Sequence, residues 1–343
     1  MAGVVCHHWL PAAWRGPVPT EIGLFFFLTL TGFLITRVLL RERSAAEHVG
    51  GKWRARAYLH FLKRRMSRIL LPCYAAMFFA IVAGAPDIRE HAWAYFGHWS
   101  NFHMAEMRGW PSGTAHYWTL AIQVQFYLVW PVLVFLVPRR WLGVAFLAVA
   151  AVAPLSRFVL AHEFPEICHA EAITGSALDY FGIGAWLALA LDRGLALRDL
   201  RLRAAAWAAF SGYAVLYALN EAGHPLPGLR YFQQTLVAVA FAGLISATLA
   251  GFGGVRGKLL DHPVVQHVGR LSFGLYLFHT PVPLLLGKIV PQLWENFSPV
   301  TGLLLRLPVF AAVSWALAYL CWRFLENARG PFSSRGVANP RGR

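Results

Sequence analysis

Apolar runs of bilayer length recur from one end of this chain to the other, and no other feature restricts its fold as much. The clearest is IGLFFFLTLTGFLITRVLL at 22–40. Others follow at 69–84, 117–137, 141–160, 177–191, 204–220, 231–250, 271–290 and 300–322. A helix needs about 20 mostly apolar residues to cross hydrocarbon with its backbone groups paired internally. Composition agrees: 57% of the 343 residues are hydrophobic and 14% charged, against about 45–50% and 25% in a soluble domain. Length alone suggests two or three soluble domains. No long polar stretch separates the runs, however, so a single membrane domain over 1–343 is expected. The N-terminal MAGVVCHHWL is apolar but too short to span alone, and it lacks the charged start and cleavage site of a signal peptide. It reads as the second half of a further helix. The predicted fold is therefore all-α, a polytopic membrane helix bundle of about ten transmembrane helices with the first one truncated.

The net charge of +15 would direct a soluble protein toward nucleic acid. Here topology accounts for it, and no nucleic-acid partner is expected. Segments 37–68, 138–140, 192–203, 253–270 and 323–343 all fall on one side of the bilayer in a ten-span threading. Together they hold 24 of the 31 Lys and Arg. The positive-inside rule then puts both termini in the cytoplasm. The basic loop 41–68 and the short basic tail 327–343 go with them, and segments 85–116 and 161–176 lie outside. The four cysteines (Cys6, Cys73, Cys168, Cys321) have neither metal-site nor disulfide spacing, so no metal is expected from them.

Ionisable groups inside apolar runs are costly in lipid and are the first candidates for chemistry. His8 lies in the N-terminal stub, His279 within LSFGLYLFHTPV, Asp179 at the start of ALDYFGIGAWLALAL, and Glu326 just past the last run. Histidine suits proton transfer near neutral pH. Each of these residues, taken alone, reads first as a hydrogen-bonded link between helices, Asp179 and Glu326 more so than His279. In KRRMSR, Arg65 and Arg68 stand three apart and share a helix face. The guanidinium fork matches phosphate, so the pair fits either a phosphorylated ligand such as coenzyme A or a lipid-facing anchor. The run HYWTLAIQVQFYLVWP at 116–131 carries Trp118, Gln123, Gln125 and Tyr127 at the outer start of a span. Its two glutamines either face a polar cavity or bind a neighbouring helix.

Together these motifs resemble the acyltransferase-3 family of bacterial membrane O-acyltransferases. VVCHHW resembles the family's first-helix segment, placing its essential His at His8. GLFFFLTLTGFLIT resembles the second-helix signature, with Thr31 where Ser is usual. FLKRRMSRILLPCYA resembles the Arg-x-x-Arg motif, giving Arg65 and Arg68. FGHWSNF and YWTLAIQVQFYLVWP resemble the Asn and Trp-Ser-Leu-x-x-Glu segments. SALDYFGIGAWLA, VGRLSFGLYLFHTPV and WRFLENARGPF resemble the later motifs.

The resemblance implies that His8 is catalytic and that Arg65 and Arg68 bind the acyl donor. Asn101, Trp118, Gln123, Tyr127, His279 and Glu326 are then candidates for lining the site. It also implies transfer of an acyl group, acetyl in the first instance, from acyl-CoA (acetyl-CoA) as co-substrate to a hydroxyl of a cell-surface glycan or lipid-linked saccharide. Neither a bound cofactor nor a metal is implied. The implied location is the bacterial inner membrane, multi-pass in the bilayer, with a separate periplasmic partner as an option. Two departures bear on this. The family's Arg ten residues before its His would fall ahead of Met1, and Gln123 stands where Glu is usual. Glutamine hydrogen-bonds but carries no charge and cannot act as a base. A glycan or lipid transporter and a catalytically impaired relative are the competing expectations.

Overall fold

The computed structural model describes residues 2–11, 14–15, 19–47, 50–291 and 299–326. The tail 327–343, expected to be cytoplasmic and basic, lies outside the described residues. The described chain is a helix bundle in the order α1 (Ala2–Trp9), α2 (Ile22–Glu47), α3 (Trp53–Val82), α4 (Pro86–Glu90), α5 (Ala92–Phe96), α6 (Ser100–Ala105), α7 (Tyr117–Leu136) and α8 (Leu142–Glu163). It continues through α9 (Leu178–Asp192), α10 (Leu200–Glu221), α11 (Gln233–Ala250), α12 (Gly254–Leu260), α13 (Pro263–Phe278), α14 (Pro281–Ile289) and α15 (Pro299–Cys321), the last extended by a π-helical turn to Glu326.

Seven of these helices, counting α15 with its π turn, are long and apolar enough to cross a membrane: α2, α3, α7, α8, α10, α11 and α15. The protein is a multi-pass membrane helix bundle. The remaining three expected spans, which would bring the count to about ten, correspond to shorter helices. α1 has eight residues, α9 fifteen, and 271–290 is divided between α13 and α14. At about 1.5 Å per residue, α9 is roughly 22 Å long and falls short of the hydrocarbon thickness. It is buried along nearly its whole length against α2 and α8. Two glycines allow the contact with α2: a Cβ on Gly32 would stand 2.5 Å from the Phe181 carbonyl oxygen, and one on Gly184 2.2 Å from that of Thr29. Close backbone approach through small residues is how membrane helices gain packing where lipid offers no hydrophobic drive. Large apolar side chains such as Phe78, Val129, Leu155 and Leu304 point outward instead, as a lipid-facing surface requires.

The basic segment 41–68 is mostly helix. α2 runs on to Glu47, and α3 starts at Trp53. Several of its cations hold the bundle together. The buried Arg43 guanidinium donates to the carbonyls of Val134 (2.6 Å) and Val137 (2.7 Å), and Arg54 donates to that of Phe135 (3.1 Å). These are the unpaired carbonyls at the end of α7, where a positive charge also meets the negative end of the helix dipole. At about 45 Å by its rise, α3 passes from this basic end to the opposite end of the bundle. There α4, α5 and α6 form a folded cap over residues 86–105.

Candidate active site

A helix break builds the site. The sequence places His279 mid-span, but α13 stops at Phe278 and α14 begins at Pro281. Pro281 has no N–H to continue the ladder, and its ring obstructs the preceding turn. A broken helix inside a membrane protein must satisfy its last carbonyls another way. Here the His279 backbone N–H donates to Leu275, and its Nδ1 donates to the Tyr276 carbonyl at 2.6 Å. His116 Nε2 lies 3.2 Å from the Leu277 carbonyl, and Trp9 Nε1 donates to the His279 carbonyl at 2.6 Å. Rings from two distant segments, together with that of His279 itself, therefore close one helix end. Because a carbonyl only accepts, the Nδ1 contact puts the His279 proton on that nitrogen and leaves a lone pair on Nε2. That Nε2 is buried and has no partner.

Beside the break lies a cavity of about 540 Å³ lined by His7, His8, His116, Trp118, Tyr276 and His279, among others. The His8 ring is exposed to this space, 4.9 Å from the His279 ring, and His279 in turn is 4.8 Å from His116. His7 also borders the cavity, but its Nδ1 is 2.8 Å from the Thr20 hydroxyl and its Nε2 is 3.3 Å from the Glu21 carboxylate. The Thr280 hydroxyl donates to the Gly113 carbonyl (2.9 Å) and stands 2.7 Å from His116 Nδ1. Trp118 and Trp110 are near-parallel with centroids 6.0 Å apart, forming an aromatic wall, and Trp110 stacks on His169 at 4.0 Å.

The other candidates lie elsewhere. Toward the basic end of α7, Arg65 donates to the Tyr127 hydroxyl at 3.0 Å, and its guanidinium carbon sits 4.8 Å from that ring's centre. Arg65 Nε has no partner. The Tyr127 hydroxyl reaches Gln123 Oε1 at 3.5 Å, and the buried Gln123 Nε2 is unpartnered. Arg68 is exposed, and its charge interacts with the half-buried Glu326, whose Oε1 is 3.8 Å from the Cys321 thiol. From Trp118 to Tyr127 is about 14 Å along the axis of α7, so this helix carries both groups. Asn101 belongs to neither. Its amide donates to the Ala172 carbonyl (3.1 Å) and the Thr174 hydroxyl (3.0 Å), while its oxygen accepts from Gln125 Nε2 (2.9 Å). Gln125 is thereby tied to a neighbouring segment and does not line the cavity. Asp179 is likewise fully engaged, with Arg157 at 2.8 Å and the Thr235 hydroxyl at 2.7 Å.

Sequence reasoning missed His116 and Trp110. His116 opens the run at 116–131, but nothing local shows that its ring closes a helix 161 residues later. A second cluster also went unnoticed, in the cap. Asp87 Oδ1 lies 3.1 Å from His91 Nδ1 and 3.0 Å from His103 Nε2, and Asp87 Oδ2 accepts from the Tyr95 hydroxyl. Burial pushes the Asp87 carboxyl up, but hydrogen bonds from Tyr95 and His103 and the fields of both imidazoles outweigh it. The net shift is below its ordinary value. Among the described residues, this is a group whose donor set suits a metal ion.

Comparison with known proteins places these features. A family profile described as an acyltransferase domain matches residues 1–323. The chain is 25% identical over 349 residues to the peptidoglycan O-acetyltransferase OatA of Listeria monocytogenes, an alignment covering 93% of this chain and 52% of that protein. It is 26% identical over 336 residues to the putative peptidoglycan O-acetyltransferase YrhL of Bacillus subtilis, covering 89% of this chain and 50% of that one. The chain thus spans about half the length of these curated relatives. No solved structure matches it.

Proposed function

This chain belongs to the acyltransferase-3 family, and from that premise we propose that it is a membrane O-acyltransferase. It moves an acetyl group from acetyl-CoA to a hydroxyl of a cell-surface glycan. Peptidoglycan is the first acceptor to test, given the names of its relatives. The observation that carries the reading is the cavity in which the His8 ring lies 4.9 Å from His279 beside a tryptophan wall. Flat aromatic faces suit the apolar faces of sugar rings, and an imidazole suits a hydroxyl that must lose its proton. In the reaction, the acceptor oxygen attacks the acyl carbon as the His8 ring takes its proton. The C–S bond then breaks, and the coenzyme leaves as thiolate. His8 taking the acyl group itself and passing it on is the variant of this scheme with a covalent intermediate.

The donor enters from the basic end, where Arg65 and Arg68 take the coenzyme phosphates. The pantetheine arm then runs along α7, past Tyr127 and Gln123, toward the cavity. A group delivered this way crosses the bilayer from a cytoplasmic donor to an outer acceptor. The orientation this requires, with both termini and 41–68 inside, has a direct test. Cys168 is exposed at the capped end, Cys73 and Cys321 are buried, and Cys6 is half-buried. A membrane-impermeant maleimide added to intact cells should label Cys168, and Cys168→Ser should abolish that labelling. Labelling only after the membrane is opened would reverse the orientation and move the donor site with it.

The activity test is glycan O-acetylation in a knockout strain, with wild type or His8→Ala supplied. Restoration by wild type alone supports the proposal; equal restoration by both sinks the role of His8. A second reading, an impaired relative, is favoured by one observation: Gln123 carries an orphaned amide where the family's Glu is expected. Under that reading wild type restores no acetylation.

A further inference from the structure

The cap holds a second constellation that the acyl-transfer scheme does not use. We propose that Asp87, His91 and His103 form a zinc-class divalent cation site that braces the cap over the cavity. Their three ligand atoms lie within 4.8 Å of one another, one from each residue. Two of the separations are 3.0 and 3.1 Å. Donors around a tetrahedral zinc stand roughly 3.3 Å apart, given metal–ligand distances near 2.0–2.1 Å, so small side-chain rotations would admit the ion. The ring centroids of His91 and His103 are 4.2 Å apart and tilted by 34°. Both imidazoles direct a nitrogen at the same carboxylate oxygen, and neutral imidazole with carboxylate is a donor set that zinc takes.

The surroundings fit a metal site. The Tyr95 hydroxyl donates to Asp87 Oδ2, leaving Oδ1 as the ligating atom; such outer hydrogen bonds orient metal-binding carboxylates. Arg89, on the same helix, turns away and donates to the Ile81 carbonyl at 2.7 Å, so its charge does not compete for Asp87. His91 is half-exposed, leaving room for a water as a fourth ligand. Tyr95 also bonds the Thr114 hydroxyl at 3.0 Å, and Thr114 lies between Gly113 and His116 of the cavity wall. Through that contact an ion here stiffens the segment that positions His116.

The test uses the full chain in lipid nanodiscs, stripped with chelator and then titrated with Zn²⁺ alone. Bound metal is counted after desalting. One equivalent should survive His8→Ala and the surface control His224→Ala, and be lost or weakened at least tenfold in His91→Ala and His103→Ala. Tyr95→Phe should keep the ion about tenfold more weakly. Should the histidine variants not fold, wild type alone decides through zinc protection of His91 and His103 against diethyl pyrocarbonate, read by mass spectrometry. Wild type that binds no zinc overturns the site. So do folded histidine variants that bind as wild type does, and rings modified equally with and without zinc.

Discussion

Two buried polar clusters in this bundle contrast in a useful way. The Arg157 guanidinium and the Asp179 carboxylate are both fully engaged. The guanidinium donates to the Tyr231 carbonyl (2.9 Å), the Ser176 carbonyl (2.5 Å) and Asp179, while the carboxylate also accepts from Thr235 and from the Tyr180 amide. Around His8, His116 and His279, the rings of His116 and His279 close the end of α13, yet the set borders open volume and leaves His279 Nε2 unpaired. Both clusters carry the ionisable residues that a membrane should exclude. The first uses them to fasten α8, α9 and the start of α11. The second keeps a ring nitrogen with nothing to bind, which is a cost unless a substrate supplies the partner. The contrast makes incomplete bonding beside a cavity, and not burial of an ionisable group alone, the feature to test for function.

The largest expected effect tests the open cluster. His8→Ala should lower acyl transfer by about a hundred- to ten-thousand-fold, the usual weight of a positioned general base, and His8→Gln should not rescue it. Amounts of inserted protein should stay unchanged. His7→Ala should keep most activity, because His7 is already engaged by Thr20 and Glu21. Near-normal transfer by His8→Ala would shift the chemistry to His279 or His116.

The closed cluster should answer with the opposite phenotype. Asp179→Ala leaves the Arg157 charge uncompensated where it is 7% exposed. Breaking one partner of a buried pair costs about 3–5 kcal/mol. Folded yield in detergent and the thermal midpoint should fall sharply, and whatever protein remains folded should keep its specific activity. A stable but inactive Asp179→Ala protein would place that pair in the chemistry and dissolve the contrast.

The sequence allowed the membrane bundle, most span positions and the order of family motifs to be read, because bilayer length and apolarity are local properties. It could not separate the two clusters. Asp179 and His279 look alike in sequence, each a lone ionisable residue in an apolar run, and the difference lies in partners 22 and 270 residues away. The break after Phe278 was within reach, since Pro281 is visible. That the break would gather Trp9, His116 and His279 was not, because it depends on how α1 and the start of α7 pack against it. Asn101 shows the reverse case: it was expected near the site on resemblance, and its bonds weld the cap-side loops to α7.

A smaller effect is expected at the far end of α7. Arg65 has one hydrogen bond, to Tyr127, and an unpartnered Nε, so its bonding is open in the same sense as that of His279. A charge-assisted hydrogen bond contributes about 1.5–3 kcal/mol. Arg65→Ala should therefore weaken acetyl-CoA use by about ten- to a hundredfold, seen in the donor KM, with insertion intact. Arg65→Lys should recover only part, because an ammonium lacks the two-pronged fork. An unchanged donor KM in Arg65→Ala would return this arginine to a packing role against Tyr127.

The smallest expected effect is at Gln123, midway between the two ends. Its Oε1 stands 3.5 Å from the Tyr127 hydroxyl, a weak contact at best, and its Nε2 has no partner in a site only 2% exposed. An orphaned amide donor is a poor fit there, and a carboxylate would remove it while offering Tyr127 a stronger acceptor. Desolvating a carboxylate at this buried position offsets most of the stronger bond, leaving a net effect of about 1 kcal/mol, so Gln123→Glu should change transfer by no more than about fivefold, with a rise as the favoured direction. That result would make this position an orienting one, with the proton chemistry resting on the histidines at the break. Wild type without activity, turned on a hundredfold or more by Gln123→Glu alone, would put the missing charge at the centre of the mechanism. The open cluster around His279 would then be a scaffold waiting for that carboxylate.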